Sequence, residues 1–199
     1  MTRTLPKASV EEMLRRKVLA VGAALFSLLV AGCGGGTETP PSTGETTEQA
    51  ATTQQAATPP RTGPAKATEV ADKCSLVSES QSQSLGADQT PRERDSNGRP
   101  GCQYQKGEAG AGWSVFVAAS GETTFAQEVG KRRAPNKTSD LGGYPTVAYE
   151  ETTGCVVYVD ISDSGFLISN LAITGSDTID SCGQAEKFAE AALHNLPNA

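Results

Sequence analysis

Chemistry in a chain of this kind has to come from its cysteines, its acids and one histidine. There are five cysteines and a single His. An odd cysteine count in an exported protein leaves one thiol to be explained. Cys33 is the odd one, set apart at the end of an apolar run, and Cys74, Cys102, Cys155 and Cys182 lie in the second half. Zinc fits these four poorly: there is no C-x-x-C, and the lone imidazole is His194. Nucleophilic catalysis needs a nucleophile, a base and an orienting group. His194 falls near the end of the last helical pattern, where a basic side chain complements the helix dipole. No G-x-S-x-G elbow and no glycine-rich phosphate loop after a strand is present. A calcium loop could start at Asp160, with Ser162, Ser164 and Gly165 in register, but Leu171 at its twelfth position cannot chelate, so a hairpin turn accounts better for the segment. Glu150 and Glu151 suit a solvated strand end, and a pair of carboxylates brought together by the fold stays open. The one dense basic run, Lys131 to Lys137, suits a helix C-terminus or an anion contact. Tyr104, Trp113, Tyr144 and Tyr149 suit core and turn packing more than a binding face. Nothing in these patterns implies a cofactor or a metal.

Three segments set the context of these residues. Arg15, Arg16 and Lys17 precede an apolar run of 14 residues, Val18 to Ala31. A membrane-spanning helix needs about 20. A basic start, a short apolar middle and small residues at the end describe an export signal, residues 1–32. Val30-Ala31-Gly32-Cys33 resembles the bacterial lipobox. The resemblance implies cleavage before Cys33 and diacylation of its thiol, which attaches the chain to the extracytoplasmic face of the cell membrane. Two acyl chains anchor stably where one anchors marginally. Residues 33–72 then form a lipidated cysteine and a Thr/Pro/Gln-rich tether, too poor in large apolar side chains to offset ordering entropy. The whole chain carries a net charge of −6, and the part from Cys33 onward is more acidic still, which disfavours a nucleic-acid partner.

Residues 73–199 are left to fold. Four cysteines allow three pairings, and the sequential one, Cys74–Cys102 with Cys155–Cys182, closes two loops of similar length. Capping boxes predict three helices: Ser78 to Gln81, ending at Leu85; Thr124 to Gln127, running to about Arg133; and Ser181 to Gln184, opening a helix with Ala185, Phe188, Ala189, Ala192, Leu193 and Leu196 on one face. Alternation predicts five strands, around Tyr104, in "WSVFVAAS", around Val147, and in "CVVYVDIS" and "FLISNLAI", the last two joined by a hairpin at Asp163–Gly165. The expected fold is therefore α+β: a single antiparallel sheet of about five strands, one face wetted, three helices on one side, and two disulfides as braces.

The ordered set "DKCSLVSESQSQSLG", "GCQY", "LGGYPTVAY", "GCVVYVDIS" and "DSCGQAEKFAEAALHNLP" resembles the actinobacterial lipoproteins grouped as domain of unknown function 3558. That resemblance implies an exported lipoprotein with a small α+β domain and carries no catalytic residues with it. Ser78-Glu79 departs from the Thr-Pro-like helix start expected there, which touches only local capping. The reading from sequence is a binding or interaction module for an envelope component or small ligand. The alternatives are an enzyme acting on envelope polymers through carboxylates and a passive structural lipoprotein.

Overall fold

The structure is a computed structural model, and it describes residues 58–108 and 111–199. Cys33, the expected export signal and the first part of the expected tether lie outside the described residues. Seven strands form one antiparallel sheet: β1 (Arg92–Ser96), β2 (Arg99–Lys106), β3 (Trp113–Ser120), β4 (Lys137–Asp140), β5 (Pro145–Glu151), β6 (Gly154–Ser162) and β7 (Gly165–Ile173). Their order is β1-β2-β3-β7-β6-β5-β4. Three α-helices accompany them, α1 (Glu79–Ser84), α2 (Phe125–Gly130) and α3 (Ser181–Asn195), with a 3₁₀ turn at Lys73–Leu76.

The five predicted strands are all present, and the two extra ones are the edges of the sheet. β1 reads RERDS and β4 reads KTSD. Edge strands that are short and charged resist pairing with other chains, and the same composition hides them from a search for apolar alternation. Asn97 and Gly98 join β1 to β2 with φ of 55° and 78°, both in the left-handed region, between the paired residues Ser96 and Arg99. A two-residue hairpin with both φ positive favours this Asn-Gly sequence. The predicted β6–β7 hairpin forms as well, with Ser162 paired to Gly165.

The capping boxes of α1 and α2 form as expected, on Ser78–Gln81 and Thr124–Gln127. α2 stops at Gly130 rather than near Arg133, with the Lys131 and Arg132 N–H groups turned back onto the carbonyls of Glu128 and Val129. The N-cap of α3 is Asp180, not Ser181; its carboxylate accepts from the Gly183 N–H. Gln184 is thereby freed to donate from Nε2 to the Leu85 carbonyl at 2.6 Å, tying α3 to the end of α1.

Both sequential disulfides are present. Cys74–Cys102 joins the 3₁₀ turn to β2, and Cys155–Cys182 joins the start of β6 to the first turn of α3. One face of the sheet lies under α3, where Phe188, Ala189 and Ala192 meet Tyr104, Trp113, Val115, Val157 and Leu171. Burial of such side chains contributes about 1.5–3 kcal/mol each. Tyr104 is fully buried; its hydroxyl accepts from the Val77 N–H and donates to the Cys74 carbonyl, and burial pushes its pKa well above the ordinary phenol value.

Two further features differ from the expectation. The opposite face of the sheet is not simply wetted: Phe116, Ala118, Val147, Tyr149, Val156, Tyr158, Phe166 and Ile168 form a second buried cluster there with Phe125 and Val129 of α2. Helices therefore lie on both sides, a long one over the first face and a six-residue one over the second. The folded part also begins before residue 73. Lys66 donates its N–H to the Ile161 carbonyl, Ala67 to that of Pro197, and Tyr144 donates its hydroxyl to the Pro64 carbonyl at 2.8 Å. Arg61 bridges Asp160 at 2.8 Å and Asp163 at 2.7 Å. This strap is held by main-chain hydrogen bonds, the Tyr144 hydroxyl, the Lys66 ammonium on the Leu196 carbonyl and one guanidinium, none of which depends on the apolar content that marks a core segment.

Candidate functional site

The face turned away from α3 carries the densest unmatched chemistry of the described residues. Register sets it out. One row across the sheet reads Arg92, Gln103, Phe116, Asn170, Val156, Tyr149; the next includes Ala118, Ile168, Tyr158 and Val147. Alternation along β1 places Arg92, Arg94 and Ser96 on this face and turns Glu93 and Asp95 to the other. Arg92 and Arg94 share one acceptor, Gln103 Oε1. Gly101 has no side chain for a local reason: a Cβ there would lie 2.6 Å from the Phe116 ring, so the ring lies over β2.

Arg99 and Arg132 frame the middle of the face. Arg99 comes from β2 and stands 5.3 Å from the Phe166 ring centre. Arg132 comes from the turn after α2, stands 4.8 Å from the Tyr158 ring and 5.3 Å from that of Tyr149, and donates to the Tyr158 hydroxyl. Such cation–π contacts are favourable by about 0.5–2 kcal/mol and restrict the guanidinium beside its ring. Between the two arginines is a cavity of about 50 Å³, bordered by Asn97 and Asn170 and floored by Phe116 and Tyr158. No carboxylate lines it. Glu128 stands behind, 3.2 Å from Arg99 and 3.1 Å from Lys131. Burial pushes the Glu128 carboxyl up, but the Lys131 hydrogen bond and the charges of Arg99, Lys131 and Arg132 outweigh it, so its pKa is held below the usual value. Burial raises the Tyr158 and Tyr149 hydroxyls against the opposing charge of Arg132. Arg99 Nε and the Tyr149 hydroxyl are buried without a hydrogen-bond partner among the described residues.

A guanidinium has five N–H donors. Few of those on Arg99 and Arg132 are used within the described protein, so the face is suited to accept a negative or strongly hydrogen-bonding group. Its rim offers no nucleophile paired with a base.

The residues singled out from sequence are scattered around this face. Each cation of the basic run has a protein partner: Lys131 has Glu128, Arg132 gives one donor to Tyr158, Arg133 has the Glu150 carbonyl and Lys137 has Glu186. Only Arg132 also borders the cavity. Tyr104, Trp113, Tyr144 and Tyr149 are all buried, in keeping with a packing role. Asp160 is taken up by Arg61, and Ser162 and Ser164 meet each other in the hairpin. Burial raises the Asp160 carboxyl more than the Arg61 charge lowers it. Among the described residues no group of three or more His, Cys, Asp or Glu could hold a metal ion. His194 is exposed and borders a separate open groove of about 250 Å³ between α1 and α3, together with Gln81, Leu85, Lys187 and Glu190. Arg99, Tyr158, Phe116 and Asn170 were not visible as site residues from sequence. The usable signal was Asn97-Gly98, which identifies the hairpin that brings β1 and its arginines beside β2.

Residues 28–195 match the family described as Protein of unknown function (DUF3558). The chain belongs to this family. No curated protein and no solved structure matches it significantly. The family description assigns no activity, so function has to be argued from the site.

Proposed function

We propose that this protein is an exported lipoprotein, cut before Cys33 and diacylated there, whose small disulfide-braced domain binds a ligand at the arginine-framed face of its sheet. The observation that carries the binding role is the pair Arg99 and Arg132, laid on aromatic rings around a cavity with most of their donors unspent. Two guanidinium groups held beside aromatic rings at one cavity, with Glu128 as the nearby carboxylate, suit a ligand that takes up their free donors. The anchoring role rests on Val30-Ala31-Gly32-Cys33 after a short apolar run, and the family match begins at Leu28, so that it takes in this segment. Among the described residues no helix is long and apolar enough to cross a membrane. Cys33 and Arg61, which is ion-paired to Asp160 and Asp163, are separated by 27 residues.

Cys33→Ser tests the anchoring role. In membrane fractionation of the native host the wild-type chain is expected in the membrane pellet at its processed mass, and the variant either in the soluble fraction or unprocessed. A processed variant that stays with the membrane contradicts the lipoprotein reading.

A further inference from the structure

The face described above also constrains what it would bind. Resting on the reading of this face as the binding surface, we propose that the cavity between Arg99 and Arg132 is a site for a phosphate group, taken free or as the ester of a larger molecule. Size is the first argument. A water needs about 10–15 Å³ of such volume, so about 50 Å³ takes roughly three to five water-sized groups, enough for the oxygens of a tetrahedral oxyanion. Charge is the second. The chain is acidic overall, yet four arginines, Arg92, Arg94, Arg99 and Arg132, gather on this one face. The carboxylate beside them, Glu128, is buried and shared between Arg99 and Lys131, so the rim stays cationic.

Donor geometry is the third argument. Arginine meets phosphate through parallel N–H groups in a plane, and a plane fixed on an aromatic ring loses little freedom on binding. Arg132 is fixed on Tyr158 and Tyr149, Arg99 on Phe166, and Asn97 and Asn170 border the opening with amide groups able to complete an oxygen cage. Arg99 Nε is buried without a hydrogen-bond partner among the described residues, on a side chain that lines the cavity. Arg92 and Arg94 lie further out, share a single neutral acceptor, and would draw an anion toward the opening without touching it.

The test uses the detergent-solubilised full chain, titrated with inorganic phosphate, with glycerol 3-phosphate and with glycerol, and followed by NMR of the arginine side chains and of the Asn97 and Asn170 amides. Saturable shifts at these groups with a phosphate probe and none with glycerol are expected. Arg99→Gln and Arg132→Gln should each weaken binding about tenfold or more, the cost of losing a charged hydrogen bond. Arg92→Gln/Arg94→Gln should weaken it less. Asn170→Leu, which fills the opening and leaves both arginines in place, should abolish it; this variant holds the test open if an arginine variant fails to fold. Tighter binding of glycerol 3-phosphate than of inorganic phosphate identifies an esterified phosphate as the ligand, and the reverse identifies the free anion. No saturable response below about 10 mM, a response unchanged by Arg99→Gln and Arg132→Gln, or shifts confined to the α1–α3 groove overturn the inference. A neutral ligand that binds this face without a phosphate response also overturns it, and leaves the binding-module reading standing.

Discussion

Phe188→Ala is expected to lower the free energy of unfolding by about 3–5 kcal/mol. Phe188 is fully buried on α3, with ring centres 5.4 Å from Tyr104 and 5.8 Å from Trp113, the latter edge-to-face. It is the wedge between the long helix and strands β2 and β3. Truncation removes the transfer free energy of the ring and leaves a hole that cannot close. Its own helix, α3, is pinned at its start by Cys155–Cys182 and at its end by Asn195, whose Nδ2 donates to the Leu76 carbonyl at 3.0 Å. A pinned site relaxes little, which puts the loss toward the upper end of the range. Urea denaturation followed by tryptophan fluorescence reads this directly, since Trp113 is the only tryptophan. A loss under about 1 kcal/mol would mean that α3 is not seated as described.

The second large effect is expected from Cys155→Ala/Cys182→Ala. The bridge spans a sequence separation of 27, which in the chain-entropy model stabilises by about 3.5 kcal/mol through the unfolded state. Calorimetry should show Tm falling by on the order of 10 °C. Hydrogen exchange should speed up most in the first turns of α3. Removing Cys74–Cys102, with a separation of 28, lowers stability by a similar entropic amount. Its local effect should be smaller, because the Tyr104 hydroxyl holds Cys74 and Val77 independently. An unchanged Tm after loss of the Cys155–Cys182 bridge would contradict the assignment of that bridge as a brace.

Elements that depend on local rules were legible in the sequence. The caps of α1 and α2 follow from Ser78, Gln81, Thr124 and Gln127, whose side chains answer backbone N–H groups three residues away. β6 and β7 follow from β-branched alternation, and the cysteine pairing from matched loop lengths. Three features needed information that no short window holds. β1 and β4 are strands because a neighbour supplies their hydrogen bonds, while their own side chains read as solvent-exposed. The strap around Arg61 is fixed by acceptors about a hundred residues away in sequence. The second apolar cluster was hidden in plain alternation: Phe166 and Ile168 fall between the residues of β7 that face α3, and either face of that strand could have been the wetted one.

The candidate site was less legible still. Arg132 belongs to a basic run whose composition suits a helix C-terminus as well as an anion contact. Its partner Arg99 lies 33 positions earlier, in a polar segment, and only the β2-β3-β7-β6 order brings the two to one cavity. The face is therefore a product of topology. It combines a charged edge hairpin, a glycine that makes room for Phe116, and a short helix whose trailing turn drops an arginine onto two tyrosines.

The central claim is that this face, and not the α1–α3 groove around His194, is where the domain recognises its ligand. The direct measurement is thermal stabilisation of the full chain by a panel of soluble anionic and neutral envelope-type compounds, run in parallel on the wild type, on Arg99→Gln/Arg132→Gln and on Lys187→Ala/His194→Ala. The account predicts at least one compound that raises the wild-type Tm, loses that effect in the double arginine variant and keeps it in the groove variant. Stabilisation that survives loss of both arginines, stabilisation that disappears with Lys187 and His194, or no stabilisation by any compound would contradict it.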